Sequence, residues 1–146
     1  MRVQEIMSQN VAFGSPQTNA AVAAEIMWKR NCGSLPLVED GERVVGIVTD
    51  RDLFIALGTQ NRRAAELTLG EIIRHAPIAC APGDDVRDVL KKMAKEKIHR
   101  MPVVNESGRL NGILSIDDVL ARADSSLIDE AIRTLKEISS YQMLST

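Results

Sequence analysis

The chain has 146 residues, 45% of them apolar and 26% charged, and a net charge of -2. That size and balance describe a globular body of ordinary domain size. They exclude the basic surface of a general nucleic-acid binder and any apolar run long enough to cross a bilayer. Met1-Arg2-Val3-Gln4-Glu5 has no apolar core of the signal-peptide kind, so a cytoplasmic address is expected. Cys32 and Cys80 match no metal spacing and are expected as reduced thiols packed like small apolar groups. With only Trp28, Tyr141, Phe13 and Phe54 as aromatics, a base-stacking platform is not expected.

In chain order, a short helix near the N-terminus leads to an extended stretch at residues 11–13, ended by Gly14-Ser15-Pro16. Thr18 is placed to cap a helix over residues 19–29, with Ala20, Ala23, Ala24 and Met27 on its apolar face. Residues 35–38 form a strand, with Pro36 at its start or on an edge because it lacks a donor. Residues 39–42 turn the chain, residues 44–48 form the partner strand, and a helix covers residues 50–57. A polar linker at residues 58–66 follows. Thr68 and Glu71 have the spacing of a capping box opening a short helix over residues 69–74.

The pattern then repeats. Residues 78–80 are extended, and Pro82-Gly83 turns the chain. A helix over residues 85–97 carries Val86, Val89, Leu90 and Met93 on one face. Strands at residues 101–104 and 110–114 flank a turn, and a helix covers residues 117–123. A further helix opens at Ser126 and Asp129, with a stripe of Ile128, Ala131, Ile132, Leu135 and Ile138. It has no counterpart in the first half, and it must cover the module or a second chain. Residues 139–146 are expected to be loose.

A shift of 66 residues lays the second half on the first without a gap: Glu5 on Glu71, Pro16 on Pro82, Met27 on Met93, Pro36 on Pro102, Gly46 on Gly112 and Asp52 on Asp118. A fixed period of this length marks two copies of one folding unit. The expected division is residues 1–61, residues 62–123, and a C-terminal helix and tail at residues 124–146. Two copies packed face to face create two related clefts, and a cleft at such an axis is a natural ligand site.

Each copy closes on the same local design. Gly46-Ile47-Val48-Thr49-Asp50-Arg51-Asp52 has its counterpart in Gly112-Ile113-Leu114-Ser115-Ile116-Asp117-Asp118. Thr49 with Asp52, and Ser115 with Asp118, fit a helix cap followed by an acid three residues on, contributing about 1 kcal/mol to each helix. The same atoms suit a ligand: a first-turn carboxylate can accept hydrogen bonds from a ribose diol, and the hydroxyl and backbone N–H groups beside it favour an anion.

These segments, together with Cys32-Gly33-Ser34-Leu35-Pro36-Leu37-Val38 and the exact duplication, resemble a tandem pair of CBS domains, the module named after cystathionine β-synthase. The resemblance runs from Val3 to about Ala123. It implies an α+β fold of two β-α-β-β-α repeats packed sheet to sheet about a pseudo-twofold axis, here with an added C-terminal helix. It implies a free-standing Bateman module that binds an adenosine compound and passes its occupancy to a regulated protein. AMP, ADP or ATP are the expected ligands, ahead of S-adenosylmethionine or NAD, and no obligatory cofactor is expected. Self-association as a homodimer through helices is also implied. Leu53, Phe54, Val119 and Leu120 are candidates for core or interface.

Carried over residue by residue, the resemblance assigns Thr49, Arg51, Asp52, Ile78, Ile98, His99 and Arg100 to a first cleft. It assigns Ala12, Cys32, Gly33, Ser34, Ser115 and Asp118 to a second. Backbone near Ile78 or Ala12 would meet the adenine edge. Lys97-Ile98-His99-Arg100-Met101-Pro102-Val103 is similar to the phosphate-gripping segment of the regulatory γ subunit of AMP-activated kinase. Arginine suits phosphate through its planar fork of donors. The second cleft has Gly33 and Ser34 in place of His99 and Arg100, and Asp117 in place of Arg51. One dominant site, at the first cleft, is therefore expected.

The rival readings are weaker in chemistry. No activated nucleophile or glycine-rich phosphate loop is present, and the only histidines are His75 and His99. Neither an enzyme nor a metal site is expected. DNA binding lacks a basic face. A ligand-free dimerisation scaffold, with Asp52 and Asp118 serving only as caps, stays open.

Overall fold

The structure, a computed structural model, describes the backbone of residues 1–73 and 76–145 and the side chains of residues 1–73 and 76–140. Arg74 and His75, which the sequence places in or after a short helix, lie outside the described residues, as does Thr146. The fold is α+β, with two small two-stranded sheets among helices. The chain falls into two compact units that exchange their leading segments: Met1–Val11, Ile78–Glu106 and Asn111–Thr146 form unit 1, while Ala12–Pro77 and Ser107–Leu110 form unit 2. The sequence repeats are therefore not the compact bodies.

In unit 2, α2 (Ala20–Arg30) is followed by the antiparallel pair β1 (Ser34–Glu39) and β2 (Arg43–Thr49), then by α3 (Asp50–Thr59). A 3-10 turn at Ala64–Glu66 and the short α4 (Leu69–Ile72) complete it. Residues 11–13 do not form a strand. The extended contact falls at Gly14, whose N–H donates to the Pro36 carbonyl and whose carbonyl accepts from Val38. The cap of α2 is Asn19, not Thr18: Asn19 Oδ1 accepts from Val22 N at 2.9 Å, while Thr18 Oγ1 is occupied by the Ser15 N–H. The Thr68–Glu71 capping box is present, with Glu71 Oε2 accepting from Thr68 N at 2.9 Å. The core gathers Ala20, Ala23, Met27, Leu35, Leu37, Leu53 and Leu69; Ala24 of the expected face is exposed.

Unit 1 holds α1 (Val3–Ile6), α5 (Val86–Glu96), β3 (Arg100–Val104), β4 (Leu110–Ser115, whose first residue belongs to unit 2), α6 (Ile116–Arg122) and α7 (Ser125–Ser145). Val86, Val89, Leu90 and Met93 of α5 are buried as the periodicity requires. Asp85 caps α5 from outside it, and Lys97 ends it in the left-handed conformation. Two expectations for α7 are corrected. Its first turn is capped by Asp124, whose Oδ1 accepts from Leu127 N at 3.0 Å, rather than by Ser126. Its buried ridge is Leu127, Ala131, Thr134 and Ile138, leaving Ile132 and Leu135 exposed. Thr134 is tolerated inside because its hydroxyl donates to the Glu130 carbonyl at 3.0 Å. Of the tail expected to be loose, the backbone of residues 139–145 continues the helix, and Thr146 lies outside the described residues. This ridge packs α7 on α5 and α6.

Gly112 positions the N-terminal segment. Ser8 pairs with Ile113 across two backbone hydrogen bonds, and a Cβ at Gly112 would stand 2.4 Å from the Ser8 carbonyl oxygen. Only a residue without a side chain lets the segment lie there. At Gly46 of unit 2 a Cβ would meet the far end of the Ile73 side chain at 2.8 Å, which can rotate away.

Candidate functional site

In both units the final strand runs straight into a helix whose first turn carries the paired hydroxyl and acid. Thr49 and Ser115 have extended backbone, so each hydroxyl turns back to accept from the N–H three residues on, at 3.1 Å in both cases. Asp52 Oδ2 accepts from Thr49 N and Asp118 Oδ2 from Ser115 N, both at 2.9 Å. Both capping boxes are complete.

Beyond the caps the two acids diverge. Asp118 is buried, 9% exposed, and its second oxygen is occupied: Oδ1 accepts from the Ser8 hydroxyl at 2.9 Å and lies 3.7 Å from Arg122 Nη1. Arg122 is fixed in turn by the Ile6 carbonyl at 3.0 Å. Asp52 is exposed, and among the described residues its Oδ1 has no partner. By the 66-residue period the counterpart of Arg122 is Ala56, which carries no charge.

The remaining candidates sort by unit. Unit 2 holds Thr49, Arg51 and Asp52 of the first-cleft set and Ala12, Cys32, Gly33 and Ser34 of the second. At the open end of the hairpin Ser34 is the register partner of Thr49, and the Gly33 carbonyl accepts from Asp50 N at 2.9 Å. Arg51 is exposed; Cys32 and Ala12 are half-buried against the core. Unit 1 holds Ile78, Ile98, His99, Arg100, Ser115 and Asp118. There the His99 carbonyl accepts from Ile116 N at 2.9 Å, repeating the Gly33–Asp50 contact. His99 is exposed, Arg100 half-buried, and neither makes an ion pair among the described residues. Ile78 and Ile98 pack on the core of this unit.

A cavity of about 120 Å³ opens here, lined by His99, Arg100, Ile116, Asp117 and Leu135. Asp117, which the sequence comparison set in the other cleft, thus shares a cavity with Arg100. Sequence reasoning missed Ser8, Arg122 and Leu135. Arg122 was readable as a partner four residues from Asp118; Ser8, 110 residues away, carried no local signal. Burial pushes the Cys80 thiol up to about 12, so it is inert near neutrality.

The sequence profile of the CBS domain matches residues 3–59 and again residues 69–125. The chain belongs to the CBS domain family. The chain is 30% identical to an uncharacterised protein of Methanopyrus kandleri over 118 residues, covering 81% of this chain and 60% of that one. An uncharacterised protein of Methanocaldococcus jannaschii is 29% identical over 143 residues, 97% of this chain and 50% of that one. The chain thus spans between one-half and three-fifths of these relatives. A CBS domain protein of Pyrobaculum aerophilum, solved with AMP, superposes with a TM-score of 0.77 at 24% identity, over 91% of this chain and 99% of that one. A CBS domain pair solved with 5'-methylthioadenosine and S-adenosyl-L-methionine has a TM-score of 0.75 at 29% identity, over 83% and 94%. No helix among the described residues is long and apolar enough to cross a membrane.

Proposed function

We propose that this CBS pair is a regulatory sensor that binds an adenosine nucleotide of the AMP, ADP or ATP class and passes its occupancy to a partner protein. The observation that carries the reading is the open carboxylate of Asp52. The cap uses one oxygen, the residue is exposed, and the other oxygen has no partner among the described residues. In this role Asp52 accepts from the ribose hydroxyls, while Thr49 and Arg51 flank the sugar. Arg100 receives phosphate with its fork of donors, and His99 stands beside it in the chain. Ile78 and Ile98 supply apolar contact beside the base. Asp118 already satisfies both oxygens within the protein, so the set of Ala12, Cys32, Gly33, Ser34, Ser115 and Asp118 is the weaker site. The complexes of related CBS proteins with AMP, and with S-adenosyl-L-methionine and 5'-methylthioadenosine, support the ligand class. Free thiols at Cys32 and Cys80 suit a reducing compartment such as the cytoplasm.

A thermal-shift series tests the reading, since a ligand that binds only the folded state raises its apparent stability. Millimolar AMP, ADP or ATP is expected to raise the Tm, with smaller effects from S-adenosylmethionine or NAD. No shift with any of the five would leave the ligand-free scaffold.

Self-association is part of the proposal. In unit 1, Leu90 and Ala94 of α5 are buried where α7 packs. Their counterparts in α2, Ala24 and Trp28, are exposed, Trp28 at 82%, and Phe54 of α3 is 78% exposed. Two aromatics left bare expose on the order of 120–200 Å² each. Leu53 and Val119 are core residues, so of the four interface candidates Phe54 carries the role and Leu120 contributes at most an edge. Trp28→Lys with Phe54→Lys is expected to convert a dimer to a monomer in sedimentation.

A further inference from the structure

The C-terminal helix lies almost wholly outside the two CBS spans, which end at residue 125. Leu127, Ala131, Thr134 and Ile138 seat it on unit 1, and Asp124 fixes its first turn. The same helix carries Leu135 on its flank, half-exposed, into the wall of the cavity at the open end of the β3–β4 hairpin. Arg100 and His99 come from the start of the hairpin, Ile116 and Asp117 from the start of α6, and Leu135 from α7. By the 66-residue period the matching corner of unit 2 consists of Gly33, Ser34, Asp50 and Arg51. There the chain after α3 passes into a linker and the 3-10 turn at Ala64–Glu66, and no long helix follows among the described residues of unit 2. The apolar wall is therefore peculiar to one corner.

The cavity of about 120 Å³ has room for a phosphoryl group. Arg100 supplies the fork of donors for it. Leu135 excludes water from one side of that contact, which strengthens a charged hydrogen bond by lowering the local dielectric. Asp117 sets a limit from the same lining: its carboxylate repels each added negative charge.

We propose that Leu135 of α7 is a ligand-contacting residue closing a single-phosphoryl subsite with Arg100, so that occupancy of this subsite sets the seating of α7 and makes that helix the output element. The inference rests on the nucleotide reading above. It also names a selectivity: a monophosphate fits this corner better than a triphosphate, because Asp117 opposes the additional charge.

Calorimetry and amide exchange on the full chain test it, with AMP and adenosine as probes. AMP is expected to slow exchange over residues 131–138 and adenosine to leave it unchanged. Leu135→Ala is expected to weaken AMP roughly fivefold to tenfold, the scale of a lost apolar contact in a pocket, and to leave adenosine affinity as it was. Leu135 is half-exposed, so a melt confirming the fold of the variant accompanies the titration; the exchange experiment on the unaltered protein needs no variant. AMP binding without any change in α7 exchange would overturn the inference while leaving the nucleotide reading intact. So would equal losses of AMP and adenosine in Leu135→Ala. Absence of AMP binding to the unaltered protein would remove both.

Discussion

Asp52 and Asp118 occupy equivalent places in two copies of one unit, and they have been put to different use. Each closes a capping box with the hydroxyl three residues before it. Asp118 then spends its second oxygen on Ser8 and Arg122 and is buried. Asp52 is exposed, and its second oxygen has no partner among the described residues. The same motif is thus a structural lock in one unit and an available acceptor in the other. What separates them lies outside the motif. A glycine lets the N-terminal segment cross β4, and an arginine stands one helical turn after the acid, where the other copy has alanine.

The largest effect should come from breaking that crossing. Gly112→Ala places a Cβ 2.4 Å from the Ser8 carbonyl, a backbone atom that cannot rotate away. It should cost about 3 kcal/mol in urea unfolding. Gly46→Ala meets only the tip of Ile73 and should cost about 1 kcal/mol or less. Equal costs would remove the claim that the Ser8 contact locks unit 1.

Next come the acids themselves. Asp118→Ala strips a cap and leaves the Ser8 hydroxyl and the Arg122 guanidinium without their acceptor. A loss of about 2–3 kcal/mol is expected. Asp52→Ala removes a cap alone, at about 1 kcal/mol. Chemical denaturation of both variants reads the difference directly.

The halves of the fold were not equally legible. The 66-residue period, the two hydroxyl–acid caps and the Thr68–Glu71 box stood in the sequence because each is a local pattern. The exchange of leading segments between units did not, since periodicity says which residues correspond and not which bodies they join. Thr18 was the expected cap of α2; the neighbouring Ser15 turn takes its hydroxyl, and Asn19 caps instead. The ridge of α7 was misread because Thr134 looks polar until its hydroxyl is turned onto its own helix. The candidate site was legible as residue types, while the engagement of Asp118 depends on a contact between residues 110 positions apart.

The smallest effect concerns pH. The Arg62 guanidinium beside Glu71, together with the Thr68 N–H and hydroxyl, holds its carboxyl down from 4.5 to about 2. A carboxylate lowered on folding stabilises fully above about pH 4.5, and that contribution drains away as pH falls toward 2. Because the pair is exposed, the effect is modest. Arg62→Ala should flatten the acid limb of the stability profile between those values, and an unchanged limb would show the pair to be idle.

The most direct measurement is a calorimetric titration of AMP into the unaltered protein, Asp52→Ala and Asp118→Ala, each verified as folded at the titration temperature. One dominant site is expected. Its affinity should fall more than about tenfold in Asp52→Ala, as for loss of charged hydrogen bonds to a diol, and stay within about twofold in Asp118→Ala. Equal losses in the two variants, or a loss confined to Asp118→Ala, would contradict the division of labour between the two acids.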